Sequence, residues 1–200
     1  MFRYILIAVL GYLFGSISSA VLLSRKLFHE DVRAMGSGNA GATNMARVFG
    51  MLPGLLAFVG DAAKTAAAML LGRWLGGLEG MAVGGIACVI GHCWPVFFQM
   101  RGGKGVSVGA MVALMIDWRI LLILLAAFFL TFYLTRIVSV CSIVVAVILP
   151  VASILMQQPV PESVLAVVTG LLVLFQHRTN LVRLFKGEER KFSPKSAERK

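Results

Sequence analysis

Long apolar stretches alternate with short polar or glycine- and proline-containing breaks along the whole chain. A helix rises 1.5 Å per residue, so roughly 20 apolar residues are needed to cross a hydrocarbon core of about 30 Å. Several stretches fall short of this length. The pattern predicts an all-α fold, a polytopic membrane helical bundle of about seven transmembrane helices, some of them short, within a range of five to seven. The apolar stretches lie at about residues 2–24, 51–75, 80–100, 105–116, 120–135, 137–157 and 162–176.

Composition supports lipid as the main solvent. Hydrophobic residues make up 58% and charged residues 14% of the 200 residues, and the mean hydropathy is +0.87. That leaves too little polar surface to cover a water-soluble globule. The net charge of +10 fits anionic headgroups or anionic substrates better than nucleic acid. The three cysteines lie in apolar stretches without metal-ligand spacing, so we expect no disulfide, metal or cofactor.

Basic residues predict how the chain is oriented in the membrane. With the N-terminus outside, most lysines and arginines fall in the inner segments, as the positive-inside rule requires. We therefore predict a cytoplasmic C-terminus, in the cytoplasmic (inner) membrane of a bacterium. A cleaved signal peptide is the alternative for residues 2–24, but the charge pattern argues against it. Residues 1–200 are expected to form a single membrane domain, with residues from about 186 to 200 as an exposed basic cytoplasmic tail.

Three polar segments fall together on the predicted cytoplasmic side. The first polar segment, residues 36–50, begins GSGNAGATNMAR. Its glycines allow backbone N–H groups to converge, and its short polar side chains add donors. A helix beginning near Thr43 or Asn44 would present its positive end, with Arg47, to a phosphate. A flexible loop with an ordinary helix N-cap explains the same residues, so both interpretations remain open here.

The second polar segment, residues 101–105, surrounds Lys104 with glycines. It is not a Walker A loop, because Gly105 follows the lysine in place of Ser or Thr, and so ATP hydrolysis has no support. Backbone amides and a point charge in such a turn still suit an anion. His92, a little upstream, is interpreted as a histidine packed between helices.

The third polar segment, residues 177–189, follows the last apolar stretch. His177 and Asn180 are three residues apart, so on a helix they share one face and could hold one ligand. A basic helix end that anchors on anionic lipid is the alternative. The basic residues beyond this helix are expected to be solvated, and Glu188 to lie at the membrane surface. These basic residues are Arg190, Lys191, Lys195, Arg199 and Lys200.

Two further pairs have three-residue spacing. Asp61 and Lys64 lie within an apolar stretch and are expected to neutralise each other inside the bundle, in a structural or a direct role. Ser139 and Ser142, at the cytoplasmic start of a span, either line the same cavity as the polar segments or bond back to their own helix.

Taken together, GSGNAGATNMAR, GHCWPVFFQMRGGKGV and HRTNLVRLFKGEE resemble the three cytoplasmic motifs of the PlsY family, the bacterial acyl-phosphate:glycerol-3-phosphate acyltransferases. The resemblance covers essentially the whole chain. It implies transfer of a fatty acyl group from acyl phosphate, and not from acyl-CoA, to the 1-hydroxyl of sn-glycerol 3-phosphate. The products are lysophosphatidic acid and inorganic phosphate, in an early step of phospholipid synthesis. Membrane lipid is the surrounding partner, and we expect a monomer.

The resemblance also implies the site residues. Catalytic roles fall on Ser37, Lys104 and His177. Substrate binding falls on residues of all three polar segments and on one serine of a span: Gly36, Gly38, Asn39, Gly41, Thr43, Asn44, Arg47, Gly102, Gly103, Ser142 and Asn180. The catalytic base is left open between His177 and the phosphate of the substrate.

Other mechanisms and functions have less support. The sequence lacks a His followed five residues later by Asp, the signature of another glycerolipid acyltransferase class, and it lacks a nucleophile elbow. Covalent catalysis is therefore disfavoured. A small membrane transporter or channel for phosphate-bearing anions is the main alternative, but a transporter places its polar cluster near the midplane.

Overall fold

The computed structural model describes residues 1–192, and every regular element in this range is a helix. This confirms the all-α prediction. Two short 3₁₀ helices, Val32–Ala34 and Val96–Phe98, precede the first and second polar segments. The α-helices are α1 (Phe2–Ser16), α2 (Ser19–Phe28), α3 (Ala42–Phe49), α4 (Met51–Cys93), α5 (Val106–Ile116), α6 (Trp118–Thr135), α7 (Val138–Leu155), α8 (Val160–Gln176) and α9 (Arg178–Phe185).

Within residues 1–192, four helical segments are long and apolar enough to cross a membrane. A fifth is added if α8 and α9, bent by 53° at their junction, form one broken span. The protein is therefore a multi-pass membrane protein, and five such segments are the lower end of the predicted range of five to seven. The four segments are Phe2–Phe28, Met51–Phe98, Trp118–Thr135 and Val138–Leu155.

The difference from the predicted seven spans arises from α4 and α5. The chain reverses inside α4 at Gly76 and Gly77, where Gly77 has a positive φ of 63°. Gly72 before this turn and Gly80 after it meet through their backbones. Helix α4 is therefore a hairpin of two arms, residues 51–75 and 78–93. These arms match two separate apolar stretches of the sequence. Helix α5 has 11 residues and reaches only about 16 Å, so it is too short to cross the bilayer. The predicted membrane orientation stays a prediction.

Small residues allow the first helices to pack closely. A Cβ added at Gly11 would lie 2.7 Å from the carbonyl oxygen of Gly84, and one at Gly15 would overlap the backbone of Cys88. Lipid tails are as apolar as leucine, so close backbone packing replaces the hydrophobic effect as the force that joins these helices. Gly11 and Gly15, four residues apart on one face of α1, therefore form its contact with α4.

The hairpin contact yields a stability prediction. We expect Gly72→Ala to destabilise the protein by about 1–3 kcal/mol, because the new methyl group meets the Gly80 carbonyl across the hairpin. Thermal unfolding in detergent measures the effect. Gly109→Ala is the matched control, since its Cβ would make only ordinary contact, at 3.4 Å, with Thr169. Equal melting temperatures for the two variants would contradict the proposed packing.

Candidate active site

One cavity of about 640 Å³ gathers the three polar segments at one end of the bundle. Its apolar part runs between α6, α7 and α8 and is lined by leucines, valines and phenylalanines. The predicted site residues at the cavity wall come from all three segments and from α7: Gly36, Ser37, Asn39, Gly41, Thr43, Asn44, Arg47, Lys104, Ser142, His177 and Asn180. Gly38, Gly102 and Gly103 do not line it. Segments far apart in sequence therefore share one site.

Asn44 organises the first polar segment. Its side chain is 1% exposed; Oδ1 accepts a hydrogen bond from the backbone N–H of Ser37, and Nδ2 donates to backbone carbonyls on both sides of the loop, including that of Met35. Positive φ angles at Gly36 and Gly38 bend the chain around this amide. Since its donors are taken by the loop, Asn44 shapes the segment. Helix α3 begins immediately after Gly41, close to the predicted start.

An ion pair between Arg33 and Asp31, just before the first polar segment, connects this region to the second polar segment. Arg33 donates to Asp31, at 2.8 Å, and to the carbonyl of Phe98, at 2.7 Å, which lies just before the second polar segment. The hydrogen bond from Arg33 holds the pKa of the Asp31 carboxyl well below its ordinary value. Nothing in the spacing of residues 33 and 98 predicts this contact, so it was not expected from the sequence.

The second polar segment contributes mainly the side chain of Lys104. The backbone N–H of Gly103 donates to the carbonyl of His92 at 3.0 Å, so this amide is engaged by the fold and not by the cavity, contrary to prediction. Lys104 donates to Oδ1 of Asn180. Burial, with the positive charge of Arg183 as a smaller cause, lowers the pKa of Lys104 to about 8. Such a site is short of negative charge and suits an anion.

His177 stands at the bend between α8 and α9 and is 3% exposed. Its Nδ1 lies 2.8 Å from the carbonyl oxygen of Val173. A carbonyl can only accept, so Nδ1 carries the proton and Nε2 keeps a free lone pair. In this tautomer Nε2, the ring nitrogen that points away from Val173, can accept a proton.

The chain after α9 returns to the cavity, although residues from about 186 onward were expected to form an exposed tail. Glu189 accepts hydrogen bonds from Ser139 at 2.8 Å, Asn180 at 2.6 Å and Arg183 at 2.7 Å. Burial alone would raise the pKa of this carboxyl, but these donors lower it. Arg190 lines the cavity instead of being merely solvated.

Glu189 is therefore the carboxylate that holds this end of the site. Glu188, which was expected at the membrane surface, is exposed. Lysines and arginines predicted to be solvated at the end of the tail, namely Lys195, Arg199 and Lys200, lie outside the described residues.

Asp61 and Lys64 form the predicted pair inside the bundle, whereas Ser139 and Ser142 bond to Glu189 and to the carbonyl of Val138. Lys64 Nζ lies 3.0 Å from Oδ1 of Asp61, which confirms mutual neutralisation. Ser142 donates to the carbonyl of Val138 at 2.9 Å, while also lining the cavity, so both alternatives for this serine apply. Among residues 1–192 no group of three or more His, Cys, Asp or Glu side chains is placed to hold a metal ion.

Comparison with known proteins gives one consistent result. The sequence family described as glycerol-3-phosphate acyltransferase matches residues 5–187. A glycerol-3-phosphate acyltransferase from Pseudomonas aeruginosa (strain LESB58) is 47% identical over 188 residues, covering 94% of this chain and 98% of that protein. The corresponding protein of Rubrobacter xylanophilus is 39% identical, covering 96% of each chain.

Solved structures agree with the sequence comparison. Two are crystal structures of PlsY (YgiH), described as an integral membrane glycerol 3-phosphate acyltransferase. The glycerol 3-phosphate form matches with a TM-score of 0.91 and 31% identity over 98% of this chain and 99% of that one. The lysophosphatidic acid form gives 0.87 and 30% over 95% of each. This protein therefore belongs to the glycerol-3-phosphate acyltransferase family, in its integral membrane PlsY form.

Proposed function

We propose that the protein transfers a fatty acyl group from acyl phosphate to the 1-hydroxyl of sn-glycerol 3-phosphate, releasing lysophosphatidic acid and inorganic phosphate. The reaction takes place at the cytoplasmic face of a bacterial inner membrane, as an early step of phospholipid synthesis. One observation carries the proposal: a single cavity joins a cationic, amide-rich end to an apolar part between membrane helices. The glycerol 3-phosphate and lysophosphatidic acid forms of the related structure support the acceptor and the product.

The polar end has the groups that two phosphates need. Lys104 and the N-terminus of α5 hold the phosphoryl group of the donor, with the positive ends of the helix peptides directed at it. Arg47, with His177 and Asn180, holds glycerol 3-phosphate. Ser37, Asn39 and Thr43 line the same end and supply neutral donors, among which the Ser37 hydroxyl is assigned to the acyl carbonyl.

The apolar part holds the acyl chain. Its wall includes Leu124 and Phe128 of α6 and Leu149 of α7, with small residues of α8 opposite. An alkyl chain gains about 0.8 kcal/mol for each buried CH₂ group relative to water, so this surface retains a lipid donor while its head group reacts. A transporter for free phosphate would have no use for such an apolar extension.

We assign a direct displacement to this geometry. The 1-hydroxyl oxygen attacks the acyl carbonyl carbon, the bond from that carbon to the phosphate oxygen breaks, and phosphate leaves with the electron pair. The hydroxyl proton passes to Nε2 of His177, whose lone pair is free. Phosphate is a good leaving group, so the residues mainly position both substrates and stabilise charge.

The donor is tested with purified protein in detergent or liposomes. Acyl phosphate and glycerol 3-phosphate together are expected to give equal amounts of lysophosphatidic acid and inorganic phosphate, while acyl-CoA gives neither product. Equal use of acyl-CoA would overturn the donor assignment, and vesicle uptake of glycerol 3-phosphate without acylation would favour the transporter.

We expect activity to have an alkaline limit, because Lys104 must be charged to hold the donor phosphate. Its cation exists only below its pKa, which burial lowers to about 8. We therefore expect kcat/KM to fall as the pH rises through about 8, where an ordinary lysine would stay charged to about pH 10. Bound phosphate favours the cation, so the fall in kcat lies at higher pH. Lys104→Arg keeps its charge throughout and should lose the limb near pH 8, and retention of that limb would contradict the assignment.

A further inference from the structure

A buried polar cluster adjoins the active site on the side of α4. Asp61 and Lys64 come from the first arm of α4 and His92 from the second, and all three side chains are buried. Asp61 accepts a hydrogen bond from Ser107, in the first turn of α5, at 3.0 Å. Asp61 and Lys64 do not line the cavity, so the reaction proposed above does not use them directly, whereas His92 reaches the cavity wall.

Lys64 is held by more than its carboxylate. It donates to the carbonyls of Gly15 at 2.9 Å and Ile17 at 2.5 Å, which lie at the break between α1 and α2. Ile17 is extended there, with ψ of 109°, so the ordinary helical pattern of hydrogen bonds is interrupted. The ammonium satisfies these exposed carbonyls inside the bundle, where unpaired backbone groups are costly. Lys64 thus fixes the broken end of α1 to α4.

His92 connects this cluster to the second polar segment. Its Nδ1 lies 3.1 Å from Nζ of Lys64. An ammonium has only protons to offer, so Nδ1 is the unprotonated nitrogen and the ring carries its proton on Nε2. Nε2 is also the ring atom nearest to the Cβ position of Gly103, where a side chain would collide with the imidazole. The carbonyl of His92 accepts from the Gly103 amide at 3.0 Å.

The segment that carries Lys104 is therefore held on both sides. Before Lys104, the Gly102–Gly103 backbone packs against His92, and after it, Ser107 is tied to Asp61. We infer that Asp61, Lys64 and His92 are positioning residues, whose buried network sets the second polar segment, and with it Lys104, at the distance required by the phosphoryl group of the donor. This inference rests on the phosphate-binding role of Lys104 proposed above.

Physical chemistry favours positioning over simple stability. Ionised groups inside a membrane bundle are costly, and an apolar pair of the same volume often stabilises a fold as well as a buried ion pair does. A buried polar network that joins several elements instead favours one arrangement of them; here Ser107 donates to Oδ2 of Asp61, and Lys64 pairs by charge with Oδ1 at 3.0 Å. Here those elements are the α1–α2 break, both arms of α4 and the start of α5.

The test is the double variant Asp61→Asn/Lys64→Met, which removes both charges together and leaves neither unpaired. We expect kcat to fall and KM for acyl phosphate to rise, each about tenfold, because a displacement of about 1 Å in a positioned group costs about 100-fold in rate. KM for glycerol 3-phosphate should rise less than KM for acyl phosphate, because Arg47 and His177 lie in other segments, although Asn180 contacts Lys104. A purely structural defect lowers the active fraction, so it reduces kcat with both KM values unchanged.

The control is Asp117→Asn/Arg119→Met, which removes an ion pair of 2.6 Å whose residues do not line the cavity. It should keep wild-type kinetics. Should the first double variant fail to fold, His92→Phe decides the matter, because it keeps a ring against Gly103 but cannot accept from Lys64. Wild-type kinetics, or a fall in kcat alone, would overturn the inference. Full activity of Lys104→Ala would instead overturn the proposed role of Lys104 itself.

Discussion

Replacing Lys104 by alanine is expected to lower kcat/KM with acyl phosphate by about 10²–10³-fold, the usual effect of removing one preorganised donor from a developing negative charge. The lysine is partly buried, faces the cavity and sits between two glycines, directly before the N-terminus of α5. No other cation of the second polar segment lines the cavity. Steady-state phosphate release at saturating glycerol 3-phosphate measures the loss.

Two further variants test whether the loss is specific to position 104 and how much of it comes from the positive charge. Lys26→Ala removes an exposed lysine that does not line the cavity and should retain full activity. Lys104→Arg keeps the charge in a wider, planar group and should recover only part of the activity. Because Lys104 contributes no core packing, Lys104→Ala should melt within a few degrees of the wild type. A fully active Lys104→Ala protein would refute the phosphate role.

The location of the site was predictable because membrane physics confines polar backbone to helix ends. Ser37, Lys104 and His177 each lie in a polar segment next to an apolar stretch or between two of them, and the charge pattern predicted that these segments lie on one side. Helices that pack as neighbours then bring such ends together, as the shared cavity shows. The motif resemblance added the chemistry, which hydropathy alone does not contain.

Roles within the site depended on tertiary contacts that no sequence pattern contains. Asn44 looked like a phosphate ligand, but its amide bonds its own loop. The backbone amide of Gly103 was expected to bind an anion. Glycine is required at this position because the His92 ring leaves no room for a side chain. Glu188 and Glu189 are adjacent in sequence, and only the bend of the chain after α9 decides which of them reaches Asn180.

The reversal inside α4 was predicted as a break between two apolar stretches, residues 51–75 and 80–100. Gly76 and Gly77 lie in this break, between Arg73 and Glu79, and the positive φ of Gly77 allows the chain to turn there. The packing of α1 against α4 depends on Gly11 and Gly15, whose four-residue spacing is typical of closely packed membrane helices.

Replacing His177 by alanine is expected to lower kcat by about 10²–10⁴-fold, the range for loss of a general base. Its Nδ1 proton is committed to the carbonyl of Val173, so the lone pair on Nε2 is the one that can accept the hydroxyl proton. KM for acyl phosphate should change little, because the donor phosphate is held by Lys104.

Added imidazole provides the sharper measurement. The alanine variant leaves a space of the size of the ring within the cavity, and free imidazole entering it should restore part of the lost turnover. Asn180→Ala is the matched control, since it also removes a polar group of the third polar segment but no base, and imidazole should not rescue it. Near-normal turnover in His177→Ala, or a pH–rate limb that the substitution leaves unaltered, would instead assign proton removal to the phosphate of the acceptor.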